Sequence, residues 1–147
     1  MNHKRYFLAL FALLALASLP SALEQARQLR WQREADHMLA QLAENARDYL
    51  LAHDRLPPST GPTPPIGSCC WRDEGTCRAE PSRWQGPWQA WRFAIARDHR
   101  FWYEVTTSAD GQQAVIIATA DLGCRGHFVR RTRTLRRGAD GRLRVEP

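Results

Sequence analysis

Four cysteines are the residues of this sequence whose type and spacing most readily support chemistry. Cys69 and Cys70 are adjacent, Cys77 follows seven residues after Cys70, and Cys124 lies much further along the chain. An even number of cysteines behind an export-type N-terminus indicates disulfides formed in an oxidising compartment. Because a bridge between adjacent cysteines is strained, one of the adjacent pair should bond Cys77 and the other should bond Cys124.

The alternative use of the same four thiols is a structural zinc site. Such sites usually take their thiolates from two C-x-x-C pairs, and the sequence lacks this spacing. We therefore expect disulfides and no bound metal. The longer bridge should clamp the proline-rich segment 56–68 onto the C-terminal part of the chain, and it should stabilise the fold by about 3–4 kcal/mol.

Arginine provides nearly all of the positive charge, and the formal net charge is +6. Arginines concentrate in the last quarter of the chain, where one interpretation is a surface for a polyanion such as DNA. On a strand, Arg131 and Arg133 would share one face and Arg130 would lie on the other, so no continuous basic stripe is implied. The other interpretation is a solvated sheet edge that resists aggregation. The candidate polyanion-binding residues are Arg125, Arg130, Arg131, Arg133, Arg136 and Arg137.

Signatures of the common enzyme classes are absent from the sequence. It contains no G-x-S-x-G, no P-loop and no H-E-x-x-H motif. Glu104 and Asp121 could act as paired carboxylates, but neither lies in a context that favours catalysis. His37 and His53 lie in helical sequence without a second ligand one turn further on. We expect a non-enzymatic protein that uses no cofactor.

The N-terminus has the features of an export signal or a membrane anchor. Lys4 and Arg5 precede an apolar run, which is the order of a secretory signal. A helix over residues 6–23 would be roughly 27 Å long, close to the ~30 Å hydrocarbon core of a bilayer. We expect a single-pass inner-membrane protein with a periplasmic C-terminal domain, or a secreted or periplasmic protein if cleavage follows Ala17. The candidate anchor residues are Phe7, Leu10, Phe11, Leu13, Leu14 and Leu16.

The sequence predicts one long helix over residues 6–54. No glycine interrupts residues 6–54, and no proline occurs between Pro20 and Pro57. Apolar residues recur there with the 3.6-residue period of a helix that buries one face. The helix should end near Asp54, because Pro57 and Pro58 cannot continue it. The apolar stripe comprises Leu23, Ala26, Trp31, Ala35, Met38, Leu42, Ala46 and Tyr49.

Beyond Pro57 the sequence is turn-rich and strand-like. Residues 56–68 predict an extended connector without regular backbone partners. The aromatic residues between 84 and 103 predict a dense core, with a carbohydrate- or base-stacking surface as the alternative, and Trp88 and Trp91 predict a helical turn. The strands should form an antiparallel meander of three or four strands, with one face packed on the helix. The predicted strands are residues 101–107, 113–122, 126–135 and 143–145.

The predicted fold class is therefore α+β, with a long N-terminal α-helix packed against a small, disulfide-stapled antiparallel β-sheet. This prediction divides the chain into four segments. They are an anchor or signal segment (1–23), an amphipathic helical spine (24–55), a proline-rich and cysteine-containing loop (56–87) and a β domain packed on the helix (88–147).

This order of features resembles type IV pilins and the pseudopilins of type II secretion systems. Residues 43–58 are similar to the helix end of small proteobacterial members, and residues 69–93 to their cysteine loop and W-x-x-L-x-F segment. Residues 98–105 resemble their aromatic first strand, and residues 118–122 resemble their A-x-G-D-L segment. The resemblance, over about residues 20–137, implies a pilin-like structural or accessory subunit. Its partners would be other pilin-like subunits, assembly-machine proteins and the inner membrane.

Two segments depart from the family pattern. No glycine and no acidic residue precede Glu24, so we expect neither prepilin-peptidase processing nor ordinary filament insertion unless the true start lies upstream. Where relatives carry an aspartate-rich loop similar to a calcium site, this chain has Gly123-Cys-Arg-Gly126. Hard cations need several oxygen ligands, and Asp121 alone would not supply them. We expect a disulfide at Cys124 to clamp this corner in place of a metal.

Overall fold

A computed structural model describes the backbone of residues 3–72 and 75–147, with side chains for residues 23, 25–27, 29–71 and 75–147. Helix α1 comprises His3–His53 and ends beside Asp54, as predicted. Two short helices follow, α2 at Ser68–Arg72 and α3 at Pro87–Ala90, with a 3-10 turn between them at Pro81–Arg83. The predicted helical turn at Trp88 is therefore confirmed.

The chain divides into two compact units, residues 1–33 and residues 34–147. The first unit is helical at every described position, and its Leu23 and Leu29 are 67% and 56% exposed. The predicted buried stripe is thus wrong for Leu23 and Ala26, since a helix alone provides no second layer to cover them. The predicted anchor residues, Phe7, Leu10, Phe11, Leu13, Leu14 and Leu16, lie outside the described side chains. Within the described residues, no helix has the length and apolar character needed to cross a membrane.

In the second unit, the end of α1 forms one layer of the core. Its buried side chains recur at helical spacing, so they lie on one face. Asp54 ends the helix in the left-handed region with φ 58°, and its N–H donates to the Leu50 carbonyl at 2.8 Å. The buried residues of this face are Ala35, Met38, Leu39, Leu42, Ala43, Ala46 and Leu50. Tyr49, predicted in the same stripe, is half-buried.

Five antiparallel strands form the second layer in the order β1-β2-β3-β4-β5. Their bounds are Thr60–Thr63, Trp102–Thr107, Gln113–Asp121, Phe128–Arg137 and Leu143–Glu146. The last four agree with the predicted strands to within about two residues.

Strand β1 corrects the prediction that residues 56–68 lack regular backbone partners. Thr60 pairs with Val105 and Thr63 with Tyr103. The strand lies at the edge of the sheet, where the missing N–H of Pro62 interrupts no central ladder. The sheet therefore has five strands, one more than the predicted maximum.

The side chains on one face of the sheet are buried in the core. Tyr103, Ala118, Ile116, Val105 and Leu135 are all at most 1% exposed, and the register places Tyr103 opposite Ala118 and Val105 opposite Ile116. Both this face and the inner face of α1 are therefore buried within the second compact unit, as the packing of layers requires.

An aromatic cluster fills one end of that core, as the sequence predicted. The Trp84 ring lies 5.1 Å from Trp88 and 5.2 Å from Phe93, both edge to face. The indole N–H of Trp88 donates to Thr63 Oγ1 at 2.8 Å, and that of Trp91 donates to the Pro58 carbonyl at 2.8 Å. These two bonds attach the proline-rich segment to the core.

Candidate functional site

Two disulfides join the cysteines, Cys69 to Cys77 and Cys70 to Cys124, and no cysteine is free. The sequence left open which of the adjacent pair bonds which partner, and the structure assigns the local bridge to Cys69. The zinc alternative is wrong, because every thiol is used in a disulfide. Among the described residues, no group of three or more histidine, cysteine or carboxylate side chains could hold a metal.

Helix α2 explains why adjacent cysteines reach different partners. Consecutive helical residues point about 100° apart, so the Cys69 and Cys70 side chains diverge. Cys77 exchanges two backbone hydrogen bonds with His99, at 2.7 and 2.9 Å, and Cys124 lies in the turn after β3. We call residues 64–83 the cysteine loop. The Cys69–Cys77 disulfide closes a ring within this loop, whereas the Cys70–Cys124 disulfide attaches the loop to the turn after β3. The backbone pairing of Cys77 with His99 provides a second attachment.

Asp121 stabilises the turn that carries Cys124. Its carboxylate accepts hydrogen bonds from the backbone N–H groups of Arg125 at 3.0 Å and Gly126 at 2.7 Å. Burial alone would raise the pKa of Asp121, but these backbone donors outweigh it and lower the pKa below the ordinary value of 3.8. Because each carboxylate oxygen already accepts a backbone N–H, this side chain acts as a turn-forming residue within the described corner.

His99 lies behind the cysteine loop, and its side chain is almost fully enclosed. It is 2% exposed, and its ring centre lies 5.9 Å from that of Trp84. Its Nδ1 lies 3.1 Å from the Arg97 carbonyl, to which it donates in the neutral form, while the buried Nε2 has no partner among the described residues. Burial lowers the pKa of His99 below 6.5 and outweighs the Arg97 carbonyl and Asp98, which favour the protonated form.

Two further polar side chains reach the core, half-buried Glu34 and fully buried Tyr103. Glu34 Oε1 accepts the backbone N–H of Arg100 at 2.9 Å, and burial nevertheless raises the pKa of Glu34 above 4.5. The hydroxyl of Tyr103 is buried and has no hydrogen-bond partner in the described part of the chain. Burial, reinforced by the Glu34 charge, raises the pKa of Tyr103 well above 10.0. Tyr103 therefore stays protonated, and this cluster is a structural core feature.

An open cavity of about 210 Å³ lies in the cysteine loop. Trp71 lines it and is 80% exposed, whereas Trp84, Trp88, Trp91 and Trp102 are each at most 4% exposed. The sequence analysis did not single out Trp71. The signal in the sequence was its position directly after two cysteines, in a segment rich in proline and glycine where only the short helix α2 forms.

The structure separates the candidate arginines. Arg131 and Arg133 are half-buried on the face of β4 that carries buried Leu135, while Arg130 and Arg136 are exposed on the opposite face. Arg137 forms an ion pair with Asp54, and its Nη1 lies 3.2 Å from the Asp54 carbonyl. Arg125 lies apart, in the turn after β3.

The chain was compared with protein-family models, with curated proteins and with solved structures, and none of the three comparisons finds a match.

Proposed function

We propose that this chain is a non-enzymatic, pilin-like structural or accessory subunit of a type IV pilus or a type II secretion system. The observation that carries the proposal is a helix of 51 residues whose residues 34–50 form one layer of a core, with an antiparallel sheet as the other layer. A helix this long exceeds what the core of a small domain needs, so its remaining length is available for another role.

In this proposal, the parts of the chain have separate tasks. The apolar segment with Phe7, Leu10, Phe11, Leu13, Leu14 and Leu16 would anchor the chain in the inner membrane and pack against other pilin-like subunits. The sheet and the cysteine loop would present a surface in the periplasm. Two disulfides suit an oxidising compartment and support that location.

The decisive experiment places a charge in the proposed anchor. The full chain and a Leu13→Arg variant are produced in a Gram-negative host, and membrane and soluble periplasmic fractions are compared. We expect the unmodified chain in the inner-membrane fraction and the variant in the soluble periplasm, because an arginine within the bilayer core costs about 2.5–3.5 kcal/mol.

A matched control is Leu51→Arg, since Leu51 lies in the same helix and is already 78% exposed. This variant should fractionate like the unmodified chain. If the unmodified chain is soluble and periplasmic, the anchor is wrong and the signal-cleavage alternative takes its place.

The alternative function, binding of DNA or another polyanion, has less support. Of the six candidate arginines, only Arg130 and Arg136 are exposed together on one face of β4, and Arg136 lies 3.8 Å from Glu146. Binding by this route would show retention on immobilised DNA that falls steeply with salt and decreases in an Arg130→Ala, Arg136→Ala variant. We expect neither result.

A further inference from the structure

We propose that the cavity beside Trp71 binds one pyranose ring of a neutral saccharide. The ring would stack on the indole, and its hydroxyl groups would bond the charged side chains at the cavity rim. This inference does not depend on the proposed pilin-like role, because it rests only on the local chemistry of the cysteine loop.

The exposed indole is the first observation. The chain has six tryptophans, and Trp71 is the exposed one: Trp31 is half-buried and the other four are buried. An indole left 80% exposed gives up most of the free energy that its burial would contribute. Exposed Pro65, which lines the same cavity, extends the apolar surface next to it. Apolar surface of this kind, concentrated in one loop, is typical of a contact site.

The backbone that carries the indole is restrained by the disulfides of the two preceding residues. Trp71 directly follows Cys69 and Cys70, and each of these is bonded to a different part of the fold. On the other side, a Cβ at Gly67 would lie 3.7 Å from the indole nitrogen, so the ring lies close to the backbone of that glycine. A backbone restrained in this way loses little conformational freedom when a ligand stacks on the ring that it carries, which favours binding.

The size of the cavity limits the ligand. Its volume is about 210 Å³, with Pro64, Pro65 and the Cys69–Cys77 disulfide among its apolar walls. Pockets for drug-sized ligands are about 300–1,000 Å³, so this one suits a single six-membered ring. A longer saccharide would place one ring here and extend into solvent, because the cavity is open.

The rim determines the chemical class. It carries Arg78, Arg83 and Glu80, and Arg83 donates to Glu80 with Nη2 at 3.1 Å from Oε1. Guanidinium groups only donate and a carboxylate only accepts, so together they match hydroxyl groups, which do both. Glu80 pairs with Arg83 and so reduces the attraction that the two arginines alone would have for a phosphate, and the arginines disfavour a cationic ligand. The positive C–H edge of a pyranose completes the fit, since the indole face is negative.

The experiment titrates the purified full chain with the methyl glycosides of glucose, galactose, mannose and N-acetylglucosamine. Any detergent must lack a sugar head group, because an alkyl glycoside would compete for the site. Binding is followed through the indole N–H signals in ¹H–¹⁵N spectra, which separate Trp71 from the five other tryptophans. We expect at least one glycoside to shift the Trp71 signal saturably, with a roughly millimolar Kd.

Two variants test the geometry. Trp71→Ala should weaken binding roughly tenfold or more, as loss of one stacking partner does. Because this variant lacks the Trp71 signal, its Kd is followed through the backbone N–H signals of the other cavity residues in the same spectra. The exposed position of Trp71 means that folding should survive. Glu80→Gln should weaken binding while the Trp71 signal stays in place. Ile66→Ala removes a neighbouring exposed side chain that does not line the cavity, and should leave the Kd unchanged.

Three outcomes would overturn the proposal. They are the absence of a saturable shift with all four glycosides, a Kd that Trp71→Ala leaves unchanged, and tighter binding of adenosine monophosphate than of any glycoside. The last result would identify a nucleotide-stacking surface instead.

Discussion

Buried titratable side chains give the second unit opposite responses to pH. His99 has a lowered pKa, so the unfolded chain binds its proton more readily and stability falls as the pH drops below 6.5. Glu34 has a raised pKa, so its contribution is fully present below 4.5 and is lost as the pH rises through the folded-state pKa. Over the range between these two values the effects oppose each other, and each must be measured with the other removed.

The first prediction concerns His99. In a Glu34→Gln background, the free energy of unfolding should fall as the pH decreases below 6.5. Adding His99→Phe should flatten that dependence, because a phenyl ring keeps the contact with Trp84 and cannot take up a proton. Urea unfolding at a series of pH values measures both slopes. Equal slopes in the two variants would show that His99 titrates in the folded state as it does in the unfolded chain.

Residue-level features were the hardest to predict from the sequence. His99 lies in an irregular segment, and Trp71 lies in a helix of five residues, which is too short for a 3.6-residue period to indicate which side chains point inward. The burial of His99 depends on the bridge with Cys77, and the exposure of Trp71 depends on where two disulfides attach. Both depend on contacts between distant parts of the sequence.

At the scale of elements, the two disulfides should contribute unequally. Cys70 and Cys124 are separated by 54 positions, and Cys69 and Cys77 by 8. In the chain-entropy picture, the longer loop gives about 4 kcal/mol and the shorter about 2.5 kcal/mol.

The second prediction is therefore an order of stabilities. A Cys70→Ser, Cys124→Ser variant should lose about 4 kcal/mol of unfolding free energy, and a Cys69→Ser, Cys77→Ser variant about 2.5 kcal/mol. Urea unfolding of the oxidised proteins measures both losses. The reverse order would mean that strain or residual structure in the unfolded chain dominates over loop length.

The elements themselves were largely predictable. Alternation along residues 102–107 and 113–121 follows the pleat, with Tyr103, Val105 and Ile116 directed to the core. Strand β1 was missed because Thr60-Gly-Pro-Thr63 has neither alternation nor β-branched apolar residues, and its pairing is provided by β2. The local pattern was insufficient where tertiary pairing decided the structure.

For the whole molecule, the buried inner face of α1 is one of the layers of the second unit's core. Leu42 is fully buried in the inner face of α1, whereas Leu51, nine positions further on, is 78% exposed. The helix therefore contains two leucines, one buried and one exposed to solvent, whose substitutions can be compared directly.

The third prediction compares them. Leu42→Ala should lower the free energy of unfolding by about 2–5 kcal/mol, because it leaves a cavity in the core. Leu51→Ala should change it by less than about 0.5 kcal/mol. Thermal or urea unfolding distinguishes the two. Similar small losses in both variants would show that the sheet does not depend on this helix face.

The strand order has a consequence for how the protein reaches its fold. Every strand from β2 to β5 pairs with its neighbour in the sequence, so successive hairpins can close short loops one after another. Strands β2 to β5 can therefore assemble early and form the turn that carries Cys124 before Cys70 reaches it. The Cys70–Cys124 disulfide would then form after the backbone has reached its native arrangement. An enzyme that introduces disulfides would therefore stabilise this protein after folding and would not direct the folding itself.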